Sequence, residues 1–353
     1  MKFWPYIYEP DKSIEVYRQT EKYFEDNPEI KKRVEELGWI YHTVGMIIPQ
    51  NFENLWSGHY FPFIDSWEEL QVSFNQICFG LYKQAFVSLR SALELGMLSV
   101  YFNINDDGHN AVKDWLQSKD VKEADTPNAK TIWKILKQND NIRLFNEKHN
   151  LETVHKNLGY LHNYVHTKGA KHSNRMGLLK INSQTFEPKL ILKWLNSYAE
   201  IISLVSTLHL LKYPISVIRF DYSRKFGIDI PSFGNLEEYN IDKIATILPE
   251  NYLADIEAIA QADISTQETI REISAFPDMT EEQVEQQIID FEKMSIENGE
   301  GFTKWLENQE KFLKSLGQDA FNDKMENRIA ILRQWAEENG FMESKAKRLG
   351  WDI

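Results

Sequence analysis

Residues 187–214, EPKLILKWLNSYAEIISLVSTLHLLKYP, are apolar around almost their whole circumference when wound at 3.6 residues per turn. A surface helix carries one apolar stripe, so a helix without a polar side must be enclosed. Lys193 and Glu200 interrupt this run, and Glu69, Lys83, Arg90 and Glu94 interrupt the other long apolar stretch, 66–102, so neither reads as a membrane span. The expected fold is all-α, a helical bundle built around 187–214 and ended there by Pro214. Helical periodicity dominates the rest of the chain, with no internal repeat, no low-complexity tract and few alternating strand patterns. Ten Trp, twenty Phe and a 42% hydrophobic content in 353 residues can build the core that such a bundle needs.

Three segments are expected. Residues 1–63 form an N-terminal aromatic-rich arm, with two short charged helices over 12–37 parted at DNPE and an irregular connector over 38–64 containing Pro49, Gly58 and Pro62. Residues 64–231 form the bundle. Within it, Ser66 and Glu69 read as a capping box, Gly80 ends or bends the first helix, and KQAFVSLRSALELGMLSVYF starts the next. Thr126 and Pro127 open a helix through about Lys137, and a further helix covers 151–167. Residues 232–353, after the linker DIPSFGN, form an acidic helical C-terminal module in which Thr280 with Gln283 caps one helix and Asn339-Gly340 closes another.

The net charge of −13 argues against a nucleic-acid partner only if it is spread evenly. It is not: residues 232–353 hold about 26 Asp and Glu against about 12 Lys and Arg, which leaves 1–231 close to neutral. A binding surface for RNA or a nucleotide therefore remains open on the bundle, and the acidic module offers a surface for a protein partner or for competition with RNA. The single cysteine, Cys78, excludes an internal disulfide and fits a reducing, cytoplasmic setting. The first residues, MKFWPYIYEPDKS, show no signal peptide.

Four of the nine histidines, His155, His162, His166 and His172, fall in one short segment. Spacings of seven and four put His155, His162 and His166 on one helical face, and Gly159 falls on it too, where a ligand or another backbone can come close. An imidazole titrates near neutral pH and suits proton transfer. At a helix C-terminus it also serves as a simple cap. The loop KGAKHSNR comes directly after, with Lys168, Lys171, His172 and Arg175 placed either as a solvated surface or along a nucleic-acid backbone. Arg90 and Glu94, four apart among Ala85, Phe86, Leu89, Leu93, Met97 and Val100, must pair with each other or with facing polar groups.

The order of these motifs resembles HEPN domains, small helical bundles. GLYKQAFVSLRSALEL is similar to the start of their second helix, with Gly80, Tyr82, Ala85, Arg90 and Glu94 at the pattern positions. YLHNYVHTKG is similar to the end of their motif helix, and 188–211 to their closing helix. The resemblance spans roughly 64–215. It implies metal-independent RNA cleavage at a site formed across a homodimer, frequently in toxin–antitoxin, abortive-infection and other anti-phage systems. His166 would be the principal acid/base residue, His162 a second one or a phosphate contact, Asn163 a donor, Arg90 a phosphate contact and Glu94 the group that orients a histidine. One departure stands out: where the family carries an arginine about five residues before the histidine, this chain has Tyr160 and Leu161. Either His162 takes over the phosphate role, or Arg90 reaches in from the neighbouring helix, or the bundle is a non-catalytic sensor or scaffold. His162 and His166 also match a zinc-ligand spacing with Glu94 as a third ligand. Asn163 stands where the metalloprotease pattern needs an acid, and neither a metal nor a cofactor is expected.

Overall fold

The computed structural model describes residues 9–48, 60–105, 110–117, 126–174, 184–230, 234–299, 301–315 and 321–350, and every regular element among them is helical. In chain order these are α1 (Pro10–Asp26), α2 (Pro28–Gly45), α3 (Tyr60–Cys78), α4 (Tyr82–Asn105), α5 (Asn110–Leu116), α6 (Ala129–Leu136), α7 (Asp140–His149), α8 (Leu151–Leu158) and α9 (His162–Val165). Next come α10 (Pro188–Lys212), α11 (Ser223–Phe226), α12 (Glu238–Ile247), α13 (Tyr252–Ala262), α14 (Ile264–Ala275), α15 (Glu281–Asn298), α16 (Gly301–Ser315), α17 (Asp323–Asn339) and α18 (Lys345–Arg348). The chain divides into two compact units, Met1–Arg219 with Ser232–Ile270, and Phe220–Pro231 with Arg271–Ile353.

In the first unit α10 is enclosed as its sequence requires: from Tyr198 to Leu211 nearly every side chain is buried. Helices α2, α3, α4, α7, α8 and α13 pack against it. Hydroxyls and one indole tie the core helices together. Ser66 Oγ donates to the Ala92 carbonyl at 2.6 Å, Ser73 Oγ donates to that of Ala85 at 2.7 Å, and Trp194 Nε1 donates to Ser73 Oγ at 2.8 Å. These bonds answer polar groups that burial would otherwise leave without water. Gly80 makes the tight turn between α3 and α4 at φ +74°, a conformation that a Cβ would strain. Residues Tyr82–Ile104 are long and apolar enough to cross a membrane by composition, yet 67% of the qualifying window is buried inside the fold.

Several expectations need correction. The break at DNPE falls at Asn27, but α2 runs on to Gly45 and α3 already begins at Tyr60, so most of the described part of the supposed connector is helix. Ser66 is therefore interior, and instead of capping it is buried between Tyr41 and the Ala92 carbonyl. The helix after Pro127 starts at Ala129, because the Asn128 side chain accepts the Thr131 N–H at 3.1 Å and supplies the cap. The boundary near 232 also moves. Ile241, Ile244 and Ile256 are fully buried, α12 packs on α2, and Tyr252 stands edge-on to Phe145 at 5.0 Å, so Ser232–Ile270 belongs to the first unit.

The second unit has its own core of Ile289, Ile296, Phe302, Trp305, Leu332 and Ala336. Arg328 bonds Glu285 through Nε at 2.6 Å and through a terminal nitrogen at 2.9 Å, linking α17 to α15. Thr280 and Gln283 form the expected capping box of α15. Gly340 closes α17 at φ +76°.

Candidate functional site

The histidine segment is anchored by its apolar positions. Leu158, Leu161 and Tyr164 are buried, and Tyr164 stacks on Phe86 of α4 with centroids 4.6 Å apart and accepts from Lys193 Nζ at 2.8 Å. Burying that side turns His155, Gly159 and His162 outward. The segment is not one continuous α-helix, because Gly159–Leu161 winds as a 3-10 turn between α8 and α9. A 3-10 turn advances about 120° per residue against about 100°, so three such residues rotate the residues after them by about 60°. That rotation is shared by His162 and His166, which both follow the turn and stay four residues apart. His155, Gly159 and His162 line a groove together, whereas His166 stands beside it with its ring 4.1 Å from that of His162.

The groove has a volume of about 620 Å³ and lies between α4, α6 and the histidine segment. Leu93, Trp133, Leu158 and Leu161 are packed beneath it, 4% exposed or less, and Arg90, Glu94, Lys130, Glu152 and Lys156 give it charge. Arg90 and Glu94 pair at 2.6 Å along α4, with the guanidinium side chain 22% exposed and the carboxylate 44%. Glu152 is bound by Lys137 at 2.7 Å. Lys130 and Lys156 have no ion pair among the described residues, so the uncompensated charge in this groove of an acidic protein is positive. That favours an anionic ligand. A Cβ at Gly159 would meet nothing within 4 Å, so the backbone there is open to close approach.

The two groove imidazoles have different surroundings. Trp133 Nε1 donates to His155 Nδ1 at 2.8 Å, and burial lowers the His155 pKa against the opposing pull of Glu152. His162 is exposed, and its pKa is also lowered, by desolvation first and then by the positive Arg90 and by His166, with Glu94 opposing and Lys168 adding to the depression. Arg90 thus acts electrostatically on His162 from the neighbouring helix. An exposed imidazole with a depressed pKa carries a free lone pair at neutral pH and can accept a proton.

The structure brings Arg90, Glu94 and His162 together, with His166 in ring contact at the edge. It does not bring in Asn163, which is half-buried, does not line the groove, and offers its backbone carbonyl to the Lys168 N–H at 2.9 Å. Lys168 and Lys171 are exposed on the turn after α9. His172 is not part of an open basic surface: it is 7% exposed, edge-on to Tyr164 at 4.9 Å, with Nδ1 at 3.0 Å from the Lys168 carbonyl. Arg175 lies outside the described residues. Sequence reading missed Trp133, Lys130, Lys156 and Glu152. Lys156 adjoins the histidine face and was there to be found, but nothing local marks Trp133, which reaches His155 across 22 residues.

Among the described residues no three His, Cys, Asp or Glu side chains gather as a metal would need. No family model, curated protein or solved structure matches this chain.

Proposed function

We propose that the chain is a HEPN-like endoribonuclease of a defence or toxin system that cleaves RNA without a metal, with His162 as the base. His162 takes the proton of a ribose 2′-hydroxyl and the 2′-oxygen attacks the adjacent phosphorus. The bond from phosphorus to the 5′-oxygen breaks, and His166 returns a proton to that oxygen, leaving a 2′,3′-cyclic phosphate. Two imidazoles with ring centroids 4.1 Å apart are close enough to serve the two ends of that exchange. Arg90 faces the developing phosphate charge, and Glu94 holds it in place. Lys130 and Lys156 draw the RNA backbone in. The observation that carries this reading is that His162 and Arg90, from different helices, line one groove, with the imidazole's pKa held below its ordinary value.

Purified protein incubated with single-stranded RNA and a chelator is expected to leave cyclic-phosphate ends, with His162→Ala slower by about 100-fold or more. Cleavage abolished by the chelator, or undiminished in His162→Ala, would overturn the assignment. The 2.6 Å tie between Arg90 and Glu94 favours a second reading, a non-catalytic sensor or scaffold that binds RNA, a nucleotide or a protein partner in the same groove. RNA retained on the protein without any cleavage selects it. The HEPN resemblance further carries a homodimer, which light scattering of the purified chain tests.

A further inference from the structure

We infer that His155 is a hydrogen-bond donor of fixed tautomer that orients the ligand in the groove, and that the groove takes a nucleotide unit presenting a carbonyl or ring-nitrogen acceptor there. This rests on the groove being a nucleic-acid site and adds to it the residue that selects the bound unit. An indole nitrogen donates and never accepts, so the 2.8 Å contact from Trp133 Nε1 fixes His155 Nδ1 as the acceptor. A neutral imidazole with Nδ1 unprotonated carries its hydrogen on Nε2. Protonating Nδ1 would set two N–H groups against each other, so the Trp133 bond itself opposes the cation.

His155 therefore differs in kind from His162. It lines the same groove, but its one free lone pair is already used, which leaves it a donor and not a base. Trp133, Leu158 and Leu161 are packed beneath the groove at 2% exposure or less, so the room for a flat base lies over the open backbone at Gly159, while Lys130 and Lys156 supply charge for a phosphate. A base bound there turns its acceptor edge to a donor that does not titrate away. Trp133 acts through His155 and is a positioning residue.

The test uses the full chain, 15N-labelled at histidine, and mixed-sequence hexaribonucleotides methylated at every 2′-oxygen, which cannot be cleaved by 2′-oxygen attack. Two-bond 15N–1H correlations are expected to show His155 with hydrogen on Nε2 at neutral pH, and Trp133→Phe to lose that single pattern. Hexamer binding is expected to weaken roughly three- to tenfold in His155→Ala, the loss of one neutral hydrogen bond, and to recover in His155→Gln, whose side-chain amide restores a donor. The histidine spectra of each variant also report whether it is folded. Hydrogen on Nδ1, or hexamer affinity equal in wild type and His155→Ala, would overturn the inference and leave the groove reading standing. Hexamers that fail to bind the wild type would overturn both.

Discussion

Three imidazoles in the first unit are held by three different surroundings, and their protonation follows from those surroundings. His209 on α10 is fully buried, with Nδ1 at 2.8 Å from the Val205 carbonyl and an edge-on contact to Phe63, and burial lowers its pKa to about 4. Its folded pKa lies below the ordinary 6.5, so between those values the unfolded chain binds more protons than the folded one. The stability His209 contributes is complete above pH 6.5 and is lost as the pH falls toward 4, by about 3 kcal/mol. Urea unfolding across that window should show the decline, and His209→Gln should flatten it; identical slopes would contradict the burial argument. Near the groove, the spacing of His155, His162 and His166 made a shared face legible. The 3-10 turn at Gly159–Leu161 was not, and neither was the stacking of Tyr164 on Phe86 of another helix that anchors the segment.

At the scale of elements, helix-helix approach decides what each glycine does. A Cβ at Gly96 of α4 would stand 2.7 Å from Val205 Cγ1 of α10 and 2.9 Å from the Tyr41 hydroxyl of α2, all within the packed core. Gly159, helical at φ −55°, has nothing within 4 Å of its Cβ. Gly96→Ala should destabilise by about 1–3 kcal/mol through overpacking, despite alanine's better helix propensity. Gly159→Ala should gain up to about 1 kcal/mol from that propensity. Chemical denaturation of both checks the opposed signs, and the same sign for both would contradict the packing described. Element identity was largely legible from apolar periodicity, most clearly for α10. Starts were less so: Ser66 and Glu69 have the letters of a capping box, but the Tyr41 and Ala92 partners that draw the serine into the core are distant in sequence.

At the scale of the molecule, the acidic C-terminal third does not coincide with a structural unit. Composition changes near 232, yet Ile241, Ile244 and Ile256 carry Ser232–Ile270 into the first unit. A truncation at 232 therefore removes part of the groove-bearing unit's own core and is no clean test of an acidic module. The second unit can be probed by itself through Arg328, whose side chain is 14% exposed beside Glu285 at 20% and Glu292 at 12%. Arg328→Met strands Glu292, leaves Glu285 only its 3.3 Å pair with Lys324, and should cost the second unit roughly 3 kcal/mol. Hydrogen exchange should quicken in α15 and α17 and stay unchanged in α10; equal acceleration of both would contradict the division. The all-α class and the Arg90–Glu94 pair were legible in the sequence, whereas the joining of α6 to the histidine segment depends on tertiary packing alone.

The claim that His162 is the reacting base, tuned by Arg90, is tested most directly by the pH dependence of RNA cleavage in wild type and Arg90→Met, set beside NMR titration of the His162 ring in each. Removing the positive neighbour lets the ring keep its proton to higher pH, so the acidic limb of the rate profile should move upward together with the His162 titration. A limb that stays in place while His162 shifts, or a wild type that cleaves no RNA at any pH, would contradict it.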